Sequence, residues 1–348
     1  MKVKLQTKSG LFDFDVRADE TVLAAGLRQG ITLPYECATG TCGTCRGRVM
    51  EGDARMAWPD APGAARLKTE RGDCLLCQTY VSSDAVVRVP SDTVHRNGDA
   101  RPLPDHGRGE LTGIRRLTDD VMHFGLVLEH PVRFDAGQFV TMRVPGIAGA
   151  RAYSMVNYDG ETDRMDFVVK RKPGGKFCDW LFEDAAPGAE IGFFGPLGAA
   201  TFHPEEQRDI LCIAGGSGIA GIMSILDHAT EIDHFAGHRG DVFFGVRTLA
   251  DCFYLDELSD FAARSGENLR ITVALSHEDA GRDRHPDFPL IRLDTGFVHD
   301  AAARAMEGRY GNPLGYVAGP PPMVDAAIRL LISQGKVPTS DIRYDKFG

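Results

Sequence analysis

The stretch CATGTCGTC, Cys37 to Cys45, decides the reading of this chain. Cysteines at 37, 42 and 45 make a C-x4-C-x2-C spacing, and Cys77 follows in LLCQ. That is the plant-type [2Fe-2S] spacing, in which three thiolates on one loop and a distant fourth hold two irons. The loop must wrap tightly for its thiolates to converge, and Gly40 and Gly43 give it the backbone freedom to do so. Backbone N–H groups can then point at the sulfurs, which raises the reduction potential of a cluster. Counting alone leaves a zinc site open, because Cys74 and Cys77 form a second C-x2-C. The C-x4-C element and the glycines favour the cluster, with Cys37, Cys42, Cys45 and Cys77 as ligands and Cys74 as a bystander. Cys178, Cys212 and Cys252 read as buried apolar residues.

The rest of the chain gives that loop its context. Its 348 residues suffice for two or three domains, and 43% hydrophobic with 25% charged residues is ordinary for a folded protein. A net charge of −10 argues against nucleic acid as a partner, since neutralising phosphates needs a basic surface. The start, MKVKLQTKSG, has no apolar core of a signal peptide. The most apolar run, Ile210 to Leu226, is 17 residues long with four glycines, short for a membrane span. A cytoplasmic protein with no membrane partner is expected. Five of the eight cysteines lie within 41 residues, which points to a metal centre rather than a disulfide framework.

Residues 1–92 read as a small β-rich unit. Val3 and Leu5, then Phe12, Phe14 and Val16, alternate with polar neighbours as half-buried strands do, and ETVLAAGLRQG reads as a short helix ended by Gly30. Residues 93–105 read as a polar, proline-bearing linker. Residues 106–204 carry short strand patterns (GLVLEH, QFVTMRVP, MDFVVKRK, EIGFFGP) separated by turn residues, with one helical piece, FCDWLFEDA, which suggests a β-barrel. Residues 205–348 alternate buried strands (DILCIA, DVFFGV, LRITVAL, LGYVAG) with helices, the pattern of an α/β domain with a parallel sheet.

Two further groups of residues suggest cofactors. Arg151, Tyr153 and Ser154 sit on a barrel strand, where a tyrosine ring can stack on an isoalloxazine, a hydroxyl can reach the flavin N5 region and an arginine can neutralise a phosphate. Val169 and Lys170, in the strand pattern MDFVVKRK, are further candidate cofactor-binding residues. Gly174, Gly175 and Lys176 open a helix, a placement suited to a pyrophosphate. Gly195 to Gly198 is placed to close the pocket. Gly215, Gly216, Ser217 and Gly218 lie between a buried strand and a helix, as a phosphate-binding turn does, although GGSGIA is not the G-x-G-x-x-G fingerprint. Gly319, Pro320 and Pro321 form a second strand–helix turn, able to press backbone against a nicotinamide. After the second strand of this domain, FFGVRTLADCFYLDEL holds Arg247 as its only cation, followed by Asp251, Asp256 and Glu257. Carboxylates suit a ribose hydroxyl and repel a 2′-phosphate, which favours NADH over NADPH.

In this order the motifs resemble the ferredoxin–NADP reductase superfamily fused to a plant-type ferredoxin, the plan of reductase components of bacterial multicomponent oxygenases. WPDAPGAARL (58–67) and KVPTSDIRYDKFG (336–348) resemble most the reductases of diiron toluene and alkene monooxygenases. RxYS, GPLG and FGVR are shared with reductases of Rieske ring-hydroxylating dioxygenases, which stay open as the alternative. The resemblance implies a multidomain chain: a β-grasp [2Fe-2S] ferredoxin domain, an antiparallel β-barrel FAD domain and an α/β parallel-sheet nucleotide-binding domain. It implies hydride transfer from NADH to FAD with Ser154 and Tyr153 at the reacting ring, then single-electron steps to the cluster. It places Gly215 to Gly218, Arg247 and Gly319 to Pro321 at the nicotinamide nucleotide and Phe347 near the flavin. The electrons would pass to a Rieske-type ferredoxin or an oxygenase hydroxylase component, docked at a loop exposing Thr39, Thr41, Thr44 and Arg46. Three positions depart from the family: Cys178 for serine, Gly221 for proline and Ala318 for the cysteine before GPP. A non-catalytic redox-sensing subunit, or the reductase of an unrelated enzyme such as a sugar dehydratase, are the rival readings.

Overall fold

The computed structural model describes residues 1–96 and 102–347, so positions 97–101 of the expected linker lie outside the described residues. The chain forms two compact units. One comprises Met1–Arg108, Val140–Ala152 and Glu190–Leu197; the other comprises Gly109–Phe139, Tyr153–Ala189 and Gly198–Gly348.

In the first unit a five-stranded mixed sheet runs Gly10–Asp15, Lys2–Thr7, Ala85–Arg88, Arg46–Glu51, Asp73–Leu75. Lys2–Thr7 is antiparallel to Gly10–Asp15 and parallel to Ala85–Arg88. Val3, Leu5 and Phe14 point inward, as their alternation predicts. The helix Val22–Arg28 covers that face, with Thr21 as its N-cap accepting from the Ala24 N–H. This is the β-grasp arrangement. Three barrel strands, in the order Arg151–Ser154, Phe139–Arg143, Glu190–Leu197, fall largely in the same unit.

The second unit holds the antiparallel barrel strands Gly109–Thr118 (the main part of a strand starting at Asp105), Val121–Arg133 and Glu161–Lys170. FCDWLFEDA starts as a helix, Lys176–Asp179, and widens to a π-turn over Trp180–Asp184. The α/β part is a six-stranded, wholly parallel sheet in the order Ile291–Thr295, Leu269–Leu275, Gly240–Val246, Ile210–Gly215, Leu314–Gly319, Ile342–Lys346. Its four central strands are apolar on both faces. Cys212, Ala214 and Phe244 pack with helices Ile219–Glu231 and Leu255–Ser265, while Leu211, Ile213 and Phe243 pack with Val298–Met306 and Pro321–Ser333. The first strand of the domain, Ile210–Gly215, has its neighbours on opposite sides added at different stages of the chain. That is a topological switch point, where ligands bind beyond the carboxyl ends of the strands.

Candidate cofactor sites and nucleotide cavity

The Cys37–Cys45 loop has no regular secondary structure and turns through positive φ at Ala38, Gly40 and Gly43. The turns aim backbone at sulfur. Thr39 N–H and Cys42 N–H lie 3.5 and 3.4 Å from Cys37 Sγ, and Thr44 N–H lies 3.5 Å from Cys42 Sγ. Cys77 sits in the short turn Leu76–Gln78 with its Sγ 3.3 Å from that of Cys45. The hydrogen bond from the Cys42 thiol, against burial, holds Cys37 down to about 3, and Cys42 is pushed up in return. Cys77 and Cys45 divide in the same way, Cys45 down and Cys77 up. The four sulfurs therefore resolve into two pairs, 37 with 42 and 45 with 77. Two irons need two thiolates each, and the two sulfur pairs fit that donor set of a [2Fe-2S] cluster. Cys74, one side of a Gly47–Cys74 strand pair, is buried and its thiol is pushed up by that burial. Burial likewise pushes up Cys212 and Cys252, while Cys178 is buried with its Sγ near the Lys170 carbonyl.

Gly63 was missed in the sequence. Its N–H donates to the Gly40 carbonyl at 2.9 Å, and a Cβ there would lie 2.6 Å from the Gly43 nitrogen. The segment between the third and fourth cysteines thus clamps the cluster loop through a residue without a side chain.

The residues expected at a flavin are distributed over three elements. Arg151, Tyr153 and Ser154 lie on strand Arg151–Ser154. The Tyr153 ring leans on Phe177, centroids 4.9 Å apart and 37° between planes, and Ser154 is buried. Gly174 takes φ +73 with open space where a Cβ would be. At Gly175 a Cβ would stand 2.9 Å from the Lys172 carbonyl, so only glycine fits the turn that starts helix Lys176–Asp179. The Gly175 N–H closes the turn on the Lys172 carbonyl at 2.9 Å, and the glycine backbone before the helix, with Lys176 beside it, fits the pyrophosphate of FAD. Val169 is buried on strand Glu161–Lys170, its side chain on the face opposite Lys170.

A cavity of about 300 Å³ opens at the switch point, beyond strands Ile210–Gly215, Gly240–Val246, Leu269–Leu275 and Leu314–Gly319. Of the expected residues it gathers Lys170, Gly215, Gly216, Ser217, Gly218, Arg247, Gly319, Pro320 and Phe347. Pro321 begins the following helix and does not line it. The turns are close-set: a Cβ on Gly218 would be 2.4 Å from the Ala318 carbonyl, and one on Gly319 would be 2.6 Å from Met323 Cε. Phe347 N–H donates to the Gly319 carbonyl at 3.0 Å. Gly245, Ser276, Phe297 and Met323 also line the cavity and were not read from the sequence. The parallel sheet alone brings these strand ends together.

Charge in the cavity is paired. Arg247 Nη2 donates to Asp251 Oδ1 at 2.7 Å and to Asp120 Oδ2 at 3.1 Å, and the Asp251 bond in particular raises the arginine pKa. Lys170 Nζ lies 3.0 Å from Asp120 Oδ2. Of the three acids noted after Arg247, only Asp251 reaches the cavity. Glu257 instead faces Arg115 at 3.9 Å and, half-buried beside Asp256, is raised to about 7 by that partial burial and by its neighbour.

Comparison with known proteins adds three family matches in chain order. They are a 2Fe-2S iron-sulfur cluster binding domain over residues 7–82, an oxidoreductase FAD-binding domain over 108–202 and an oxidoreductase NAD-binding domain over 212–329. The ferredoxin–NAD(+) reductase component of an alkene monooxygenase system from Xanthobacter autotrophicus is 35% identical over 337 residues, 96% of this chain and 97% of its own length. The reductase component of a phenol 2-monooxygenase from a Pseudomonas species is 32% identical over 340 residues, 96% and 91% of the two chains. The solved ferredoxin reductase in carbazole 1,9a-dioxygenase matches with a TM-score of 0.83 and 31% identity, covering 100% of this chain and 99% of its own. No helix among the described residues is long and apolar enough to cross a membrane.

Proposed function

Because this chain belongs to the family of ferredoxin–NAD(P)(+) reductases with successive 2Fe-2S, FAD-binding and NAD-binding domains, we propose that it is the NADH-dependent reductase component of a multicomponent diiron monooxygenase. The observation that carries this reading is the cavity at the switch point, where two glycine turns meet under Lys170 and Arg247. Bound FAD supplies the chemistry that splits a two-electron donor into the single electrons an iron–sulfur cluster carries.

The chain's own residues bind, orient and shield. Cys37, Cys42, Cys45 and Cys77 ligate the cluster. Gly174, Gly175 and Lys176 take the FAD pyrophosphate, Arg151 its negative charge, and Tyr153 and Ser154 its ring, with Val169 and Lys170 on the neighbouring strand. Gly215, Gly216, Ser217 and Gly218 let backbone approach the dinucleotide, Arg247 meets its phosphates, and Gly319 with Pro320 bears on the nicotinamide. Phe347 covers the flavin side of the cavity. NADH is preferred over NADPH because Asp251 and Asp120 already occupy Arg247.

The acceptor is a Rieske-type ferredoxin or the hydroxylase itself, docking where Cys42, Thr44 and Arg46 are exposed. The alkene and phenol monooxygenase relatives support a diiron partner. Likeness to the reductase in carbazole 1,9a-dioxygenase supports the second reading, a Rieske ring-hydroxylating dioxygenase. The test is NADH-driven turnover with purified acceptors. Fast NADH-dependent reduction of ferricyanide and cytochrome c is expected, with electron delivery to a diiron component system. Binding of cofactors without NADH turnover would instead make the chain a redox-sensing subunit.

A further inference from the structure

Asp120 belongs to none of the motifs read from the sequence. It stands in the tight turn between strands Asp105–Thr118 and Val121–Arg133, a barrel element, and does not itself line the nucleotide cavity, yet its carboxylate pairs with two cations that do. One carboxylate receives Lys170 Nζ at 3.0 Å, Arg247 Nη2 at 3.1 Å and the Thr118 hydroxyl at 3.3 Å. Its own carbonyl accepts from the Arg171 N–H at 2.6 Å, which fixes the turn. Lys170 and Arg247 are the two cations among the described residues that line the cavity, and Asp251 is the one lining acid. With Asp120 counted, two positive charges face two negative ones.

The two acids differ in what else they do. Asp251 also closes a capping box, receiving the Thr248 N–H at 3.0 Å and the Thr248 hydroxyl at 2.8 Å, so its removal disturbs the turn that presents Arg247. Asp120 ties its turn to the Arg171 N–H through backbone, and its side chain adds to the turn only the 3.3 Å Thr118 hydroxyl contact, which an asparagine oxygen can also accept, so its charge is the separable element. An anion entering the cavity must take Arg247 and Lys170 away from Asp120, and the cost grows with the anion's charge.

We infer that Asp120 is the residue that sets nucleotide choice: by engaging Arg247 and Lys170 together it keeps the cavity neutral and disfavours NADPH relative to NADH. The 2′-phosphate adds close to two negative charges, and a neutral cavity offers it no free cation. Asp120 acts through two other side chains and is a positioning residue. The side chains are part-exposed, 29% for Asp120, 35% for Lys170 and 53% for Arg247, so the effect is subject to salt screening. The inference rests on the reading of this cavity as the nicotinamide nucleotide site.

The experiment compares the FAD-loaded wild type with Asp120→Asn and Asp120→Glu. Each is titrated calorimetrically with ADP-ribose and with 2′-phospho-ADP-ribose, at low and high salt, beside kcat/KM for NADH and NADPH. In Asp120→Asn the affinity ratio shifts toward the 2′-phosphorylated ligand by about tenfold at low salt, the shift shrinks in high salt, and kcat/KM follows it. Asp120→Glu keeps the wild-type ratio. A ratio left unmoved in Asp120→Asn while both ligands weaken equally would make Asp120 merely structural and end the inference. A wild type that binds neither ligand would instead refute the reading of the cavity, and the inference with it. The shift is measured relative to the wild type, so it is decisive whichever nucleotide the wild type prefers.

Discussion

Cys74 and Cys77 are both buried and three residues apart, and the local backbone decides between them. Cys74 is held in strand Asp73–Leu75 opposite Gly47, whereas the turn Leu76–Gln78 swings Cys77 onto Cys45. Cys77→Ser is therefore expected to abolish or distort the cluster's visible absorption, and Cys74→Ser to leave it intact. The reverse pattern in the two spectra would refute the ligand assignment. A second residue-scale expectation concerns Gly218. A methyl there meets the Ala318 carbonyl, a backbone atom with no freedom to swing aside. Gly218→Ala should lower stability by about 1–3 kcal/mol, as overpacking does, and raise KM for NADH through the displaced turn. Thermal melts and steady-state kinetics check both, and an unchanged KM would show that the turn does not bear on the nucleotide. The cysteine spacing was legible because covalent geometry demands it within one loop. Gly63 was not, because its lack of a side chain is required by Gly40 and Gly43, about twenty residues earlier in the sequence.

At the scale of elements, legibility followed burial. Strands Leu269–Leu275 and Leu314–Gly319 and helices Leu255–Ser265 and Val298–Met306 lie where their apolar runs and stripes predict, because both faces of a parallel sheet must be dry. Strand Asp105–Thr118 was not read, since DHGRGELTGIRRLT is polar with only two buried positions, and IRYDK at 342–346 was lost because a sheet-edge strand with one buried residue shows no apolar run. The expected helix after Glu20 is present, but its periodicity did not reveal what Glu20 itself does. Its side chain is wholly buried, accepting from Arg28 Nε and Nη2 at 2.8 and 2.9 Å, from the Arg17 N–H at 3.3 Å, and lying 3.2 Å from His106 Nε2. Burial raises the carboxyl pKa, but the Arg28 and His106 hydrogen bonds outweigh it and hold it at about 2, below the ordinary 4.5. A depressed acid contributes stability that is complete above its unfolded value. That contribution, on the order of 3 kcal/mol, is lost as pH falls from about 4.5 through about 2. Melts between pH 2 and 7 should therefore show a steep acid limb in the wild type. Glu20→Gln should melt lower at neutral pH, since it leaves Arg28 without its charge partner, and its acid limb should be flatter. Parallel limbs in the two proteins would mean that another carboxylate governs acid stability.

At the scale of the whole molecule, the question is whether nucleotide chemistry and cluster chemistry separate. The cluster cysteines all lie in the unit that holds residues 1–108, and every residue lining the nucleotide cavity lies in the other. A chain beginning near Arg101 keeps that cavity, Tyr153, Ser154 and the Gly174–Lys176 turn. Ferricyanide takes electrons from a flavin without a cluster, so NADH–ferricyanide activity is expected to survive the truncation. Transfer to the natural protein acceptor should be lost together with the cluster's absorption. The shortened chain should also be less stable. The first unit joins residues 1–108 to barrel strands through contacts such as Arg143 Nη2 to the Tyr80 hydroxyl at 2.7 Å, and truncation takes Tyr80 and the Glu20 partner of His106 away. A lower melting temperature with FAD still bound is the expected companion of the retained activity. Loss of FAD on truncation would show that the barrel depends on the ferredoxin part for its fold, so that the two chemistries are separable in sequence and not in stability. Unimpaired transfer to the protein acceptor is the outcome that matters most, because electrons would then leave from the flavin and the order NADH, FAD, cluster would be wrong.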